Sequence, residues 1–192
     1  MYINLKPFHG TGYLGTKGEN VSIKDMIEDI QSGCVNATAL FSNICISPAG
    51  VYLLDNFKKY YEMNQLHKNI LAKMMLQADQ VGKFDVVIFD ICAAWEPWAQ
   101  SILEISHKIC MVVDGSEICN MKIRNVVNFM NENNGYFWQK AAVIYNKYKT
   151  MPKVDKYVEP KVMGGIGYME SQKPQDVINR MLNMKFLNNL IK

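Results

Sequence analysis

Five short runs rich in Val, Ile, Phe and Tyr alternate along this chain with stretches whose apolar residues recur at helical spacing. That alternation narrows the fold more than any other feature. The runs are YINL at 2–5, GVYLL at 50–54, FDVVIFD at 84–90, KICMVVD at 108–114 and AAVIYN at 141–146. They are continuously apolar, as strands covered on both faces of a parallel sheet are. A further short strand is expected near Lys161–Met163, inside an otherwise irregular stretch at 147–173.

The intervening segments read as helices. SIKDMIEDIQ begins at Ser22, a cap residue with Asp25 three positions on, and Gly33 stops it. From Asn64, residues Leu66, Ile70, Leu71, Met74, Met75 and Ala78 share one helical face that ends before Gly82. Pro97 suits a first helical position. A fourth helix spans 117–134, and a fifth, amphipathic, follows Pro174. Strands alternating with helices predict a three-layer α/β fold, with a mainly parallel sheet and helices on both faces. The 192 residues are read as one domain over 1–192.

Composition excludes several classes. No apolar run approaches the ~18 residues of a membrane helix, and a cytoplasmic setting is expected. Cys34, Cys45, Cys92, Cys110 and Cys119 are an odd set without a C-x-x-C pair, and are read as buried thiols. His9, His67 and His107 lack metal-ligand spacing. The net charge of +3 is uneven: residues 97–192 carry 13 Lys/Arg against 8 Asp/Glu, and residues 1–96 carry 8 against 10. The basic excess at 147–161 reads as a solvated loop, and nucleic acid is not the expected partner.

HGTGYLGTKGEN at 9–20 comes close to a phosphate-binding loop. Gly10 and Gly15 have Walker A separation, but Lys17 is one place late and Gly18 follows it where a hydroxyl is needed. The next helix begins only near Ser22, so no helix N-terminus stands where a phosphate would dock. The stretch is read as a turn. Asp90 is a better signal: four apolar residues close on a carboxylate at a strand tip, the Walker B pattern that orients Mg²⁺ through water.

In their order, these runs resemble the MinD/ParA group of P-loop ATPases. FDVVIFDICAAWEPWAQSILEISHKICMVVDGSE followed by AAVIYNKY resembles the Walker B strand, the switch loop and helix, and the two strands beyond. YINLKPFHGTGYLG resembles the strand and switch I after the P-loop helix, and VEPKVMGGIGYMESQKPQDVINRML the last strand, loop and helix. The TadZ/CpaE-like branch, associated with pilus assembly and polar localisation, is the nearest variety. The resemblance implies Asp90 near Mg²⁺ and Asn146 at the adenine edge, with ATP and Mg²⁺ as cofactors of a complete domain and none bound tightly by this chain.

Two departures qualify it. The family's P-loop strand and helix should precede YINL, and the Asp-x-Asp of switch I is replaced by Asn4 and Lys6. A cation at the second position cannot act as a base. The missing strand would leave 84–90 and 108–114 without a shared partner. These two strands close together, another chain fills the gap, or the sequence is a piece of a longer or truncated protein, the last being favoured. The function expected is a nucleotide-dependent positioning or pilus-assembly switch, acting as a homodimer or larger assembly; no catalytic residue is assigned. The alternative is a non-catalytic ATPase-like scaffold working through protein contacts, to which Trp95, Trp98, Trp138, Met74 and Met75 would contribute if exposed; burial is expected for them. A third reading places the helix at 176–192, with Arg180, Lys185 and Lys192, on the inner face of a membrane.

Overall fold

The computed structural model describes residues 1–6, 22–32, 41, 44–48, 50–54, 57, 59–92, 96–133, 139–148, 161–170, 176, 180–181 and 183–184. The glycine stretch at 9–20, Cys34, Trp95, Trp138, the basic loop at 149–160 and most of the segment after Pro174 lie outside the described residues. The chain divides into two units, Met1–Ile105 and Ser106–Lys192.

The first unit is built on β1 (Tyr2–Asn4), β2 (Cys45–Ile46), β3 (Tyr52–Leu54) and β4 (Ile88–Asp90), in the order β2-β3-β1-β4. β1 runs parallel to both β3 and β4; only the short β2 is antiparallel. Helices α1 (Ile23–Ser32), α2 (Lys68–Val81) and α3 (Pro97–Ile105) pack with this sheet. Each buries the stripe its sequence implies: Ile23, Met26, Ile27 and Ile30 from α1, Ile70, Leu71, Met74 and Ala78 from α2, Trp98, Ala99 and Ile102 from α3. Fully burying one such large side chain contributes about 1.5–3 kcal/mol.

The ends of these helices follow local chemistry. The Ser22 backbone N–H donates to Asp25 Oδ2 (3.1 Å), and the Asp25 N–H donates to Ser22 Oγ (3.3 Å), closing a reciprocal cap. α2 stops at Gly82, whose φ of 63° is left-handed and costs a glycine little. The helix expected from Asn64 begins instead at Lys68. Tyr60–Gln65 forms a separate 3₁₀ turn, tied by the Lys59 N–H to Glu62 Oε2 (3.3 Å). The Lys24 ammonium reaches the otherwise buried Glu62 carboxylate at 3.3 Å.

The second unit carries β5 (Ile109–Val113), β6 (Ala141–Tyr148) and β7 (Lys161–Gly167), all parallel and in that order. Helix α4 (Glu117–Asn133) contributes Ile123 to a core with Val113, Val143 and Tyr145. Ser116 caps α4 by accepting the Cys119 N–H at 3.2 Å.

The α/β class with mainly parallel strands is as the sequence predicts. Its strands are less uniformly covered than expected. β6 is central in its sheet and is buried on both faces over Ala141–Tyr145. β4 and β5 are each an edge strand of their own sheet among the described residues, so Ile88 is 53% exposed and Val112 62%. Cys110, expected to be a buried thiol, is exposed on the same face of β5 as Val112, while Cys45, Cys92 and Cys119 are half-buried. A central strand hides both faces, whereas this edge strand hides one. Crowding by neighbouring atoms still pushes the Cys110 thiol above its ordinary value, against the opposing pull of Lys108. Trp98 and Met74 are buried and Met75 partly so, as expected of packing residues.

β7 also runs past Met163 through the whole GGIG segment, which the sequence places in irregular chain. The reason is packing: a Cβ on Gly165 would stand 2.6 Å from the Tyr148 ring and 3.3 Å from Tyr145 Cβ. Only glycine lets the two strands pair beneath that ring.

Candidate functional site

In parallel α/β sheets, ligands gather beyond the carboxyl ends of the strands, where backbone pairing stops and loops depart. The first unit places Asn4, Lys6 and Asp90 at such an edge. Alternation along β1 sends Met1, Ile3 and Leu5 into the core, leaving Tyr2, Asn4 and Lys6 to share the opposite face. The parallel register sets Asn4 beside Asp90, and the Leu5 N–H continues the ladder to the Asp90 carbonyl at 2.9 Å.

Two side chains, Tyr2 in β1 and Lys6 just beyond it, therefore converge on the tip of the neighbouring strand. The Tyr2 hydroxyl donates to Asp90 Oδ2 at 2.6 Å, and Lys6 Nζ lies 2.7 Å from Asp90 Oδ1. The buried Asn4 accepts the Lys6 backbone N–H on Oδ1 at 3.1 Å, which fixes the chain just before the lysine side chain departs. Both carboxylate oxygens of Asp90 thus carry a short charge-assisted contact.

The arrangement can be tested against the Mg²⁺ that Walker B-type residues orient. That ion demands near-octahedral oxygen ligands and keeps several waters. Here the carboxylate faces an ammonium, which donates hydrogen bonds and repels a cation, and a phenol already donating to it. No group of three His, Cys, Asp or Glu residues gathers anywhere among the described residues. The residues at this edge do not fit a hydrated divalent ion.

The second unit has its own carboxyl edge. After β5, Asp114 Oδ1 accepts the Ser116 N–H at 2.9 Å. That bond, reinforced by the Ser116 hydroxyl, holds the Asp114 carboxyl below its ordinary value of 3.8. Asn146 is half-buried and pairs with Ile166. It does not end its strand, as the sequence suggests: pairing slips at Lys147, whose φ is 57°, and β6 continues to Tyr148. Beyond it, Tyr148, Gly167, Tyr168 and Glu170 line an open cleft of about 740 Å³, with the Tyr168 N–H donating to the Tyr148 carbonyl at 2.9 Å.

Asp90 and Asn146 thus belong to different units, and the structure brings Asp90 together with Lys6 and Tyr2. Sequence reasoning reads Lys6 only as a missing carboxylate and does not anticipate its contact with Asp90. Part of the signal is in the sequence, since Tyr2, Asn4 and Lys6 are spaced at the strand period, but the pairing of β1 with β4 comes only from the structure. The cleft had a weaker signal, two tyrosines and a glutamate bracketing a small-residue run.

No protein-family model matches the chain, and no curated protein sequence does. Solved structures do. A ParA family ATPase from Chlorobium tepidum TLS superposes with a TM-score of 0.72 at 12% identity, over 99% of this chain and 83% of that one. A plasmid partition protein from Borrelia burgdorferi B31, crystallised with AMPPNP, gives a TM-score of 0.49 at 11% identity, over 98% and 81%. The first of these likenesses shows that this chain has the ParA-like, P-loop NTPase-type α/β fold.

Proposed function

We propose that this chain is a ParA/MinD-like domain acting as a non-catalytic scaffold through protein contacts, its resemblance to the TadZ/CpaE-like branch pointing to the proteins of a pilus-assembly apparatus as those contacts. The observation that carries the reading is the Asp90 carboxylate with Lys6 on one oxygen and Tyr2 on the other. A residue so engaged neither orients a metal-bound water nor takes a proton from one. Exposed Ile118 and Met121 on α4 and Val112 on β5 supply apolar surface of the kind that protein contacts use. The setting is cytoplasmic, with homodimers or larger assemblies as the working form and the basic, amphipathic 176–192 segment as a subsidiary contact to a membrane face. No helix among the described residues is long and apolar enough to cross a membrane.

A second reading, the nucleotide-dependent positioning switch, is favoured by the overall likeness to a ParA family ATPase and by Asn146 near the carboxyl edge of β6. In it, Asn146 pairs its amide with the adenine edge. Calorimetric titration of ATP with Mg²⁺ into the full chain separates the two. The scaffold reading expects heats no larger than dilution; saturable binding that weakens in Asn146→Ala establishes the switch instead.

A further inference from the structure

We propose that Lys6 is an internal cation: its ammonium takes the place of a divalent metal at the Asp90 carboxylate and locks the tips of β1 and β4 together without one. The inference deepens the scaffold reading, since it concerns the same carboxylate, but it is a statement about metal and can fail by itself.

The geometry is specific to the lysine. Lys6 is two residues past Asn4, and Asn4 is the register partner of Asp90, so a side chain of four methylenes turns back across one strand spacing to reach Oδ1. Its approach is prepared by the Asn4 side chain, which holds the Lys6 N–H, and by the Leu5 N–H, which continues the ladder to the Asp90 carbonyl. Lys6 and Asp90 are 40% and 27% exposed at their side chains, so the pair is half-sheltered from water. An ion pair of that kind alone is weak. What strengthens this one is that Tyr2 engages the second oxygen, so the carboxylate is matched in charge and in hydrogen bonding at both oxygens. A divalent ion arriving at Asp90 must displace an ammonium 2.7 Å away and face its charge at short range. A side chain tethered to the neighbouring strand is always at hand, whereas a free ion must be recruited.

The test uses Mn²⁺ alone as the probe, on the full chain. Binding is followed by paramagnetic broadening of the amide signals of Leu5 and Ile91, and of the bulk by water relaxation. In the wild type the broadening should be no greater than in Asp90→Asn. Lys6→Met keeps the stem and removes the charge; it should bind Mn²⁺ at least about tenfold more tightly than the wild type, and Lys6→Met/Asp90→Asn should lose that gain. Wild type binding Mn²⁺ as tightly as Lys6→Met, or neither binding measurably, overturns the proposal, because the lysine then excludes nothing. Should Lys6→Met fail to fold, Lys6→Gln replaces it, and the wild-type Lys6 ammonium is observed directly by nitrogen-resolved NMR. A signal unchanged by Mg²⁺ supports the internal cation, and one released to solvent exchange as Mg²⁺ is added contradicts it. The scaffold reading is judged separately by ATP: a chain that ignores Mn²⁺ but binds ATP keeps the internal cation and loses the scaffold.

Discussion

At the scale of single residues, carboxylates find lysine partners. Asp90 meets Lys6, and Glu62, a buried carboxylate, meets Lys24 and the Lys59 N–H. The Glu62 hydrogen bond, its charge next, raises Lys24 above the ordinary value of 10.5. Because the folded value lies above the unfolded one, the stability Lys24 contributes is whole below pH 10.5 and is lost as pH climbs through the folded value. Thermal unfolding followed through that alkaline range should show the wild type losing stability more steeply than Lys24→Met. Parallel slopes would mean that the Lys24–Glu62 contact adds nothing in solution. Asp114 works in the opposite direction, since a lowered carboxyl contributes above its unfolded value and is lost on acidification. Such contacts are hard to read in advance. Ser22 and Asp25 are legible because a cap is local, three residues apart. Lys24 and Glu62 are 38 residues apart, and nothing in either neighbourhood of the sequence announces the other.

At the scale of elements, periodicity and punctuation were enough to locate helices α1 to α4, because each is amphipathic and bounded by a cap, a proline or a glycine. Strand cores were legible as continuous apolar runs, and strand surroundings were not. An apolar run has the same composition in a central strand such as β6 as at an edge such as β5, and only pairing decides whether Cys110 and Val112 are covered. The antiparallel β2, two residues long, is too short to leave a pattern. GGIG illustrates the converse. Glycines that suggest a turn belong to a strand because Tyr148 lies across Gly165. Gly165→Ala should therefore force the Tyr148 ring aside and cost about 1–3 kcal/mol. Denaturant unfolding measures the loss, and aromatic NMR shifts of Tyr148 report the displacement. A variant as stable as the wild type with an unmoved ring would show that Tyr148 does not constrain position 165.

At the scale of the whole molecule, the likeness to a ParA family ATPase concerns architecture: mainly parallel strands with helices between them. Architecture of this kind hosts many activities, so function is decided at the site. The resemblance in the sequence pointed to the fold correctly because the order of strands and helices is spread over the chain. The four apolar residues before Asp90 place it at a strand tip, as the structure does, but a strand-end aspartate serves metal or lysine equally well until its neighbour in space is known. That neighbour is supplied by parallel pairing between segments 88 residues apart in sequence, as the Tyr2–Asp90 contact shows.

The measurement that reaches the centre of this account is a crystal structure of the full chain grown with excess Mg²⁺ and ATP. Lys6 Nζ should stand within hydrogen-bonding distance of Asp90 Oδ1 and the Tyr2 hydroxyl on Oδ2, with no metal between them. A magnesium ion beside Asp90, with Lys6 swung away from it, would contradict this account.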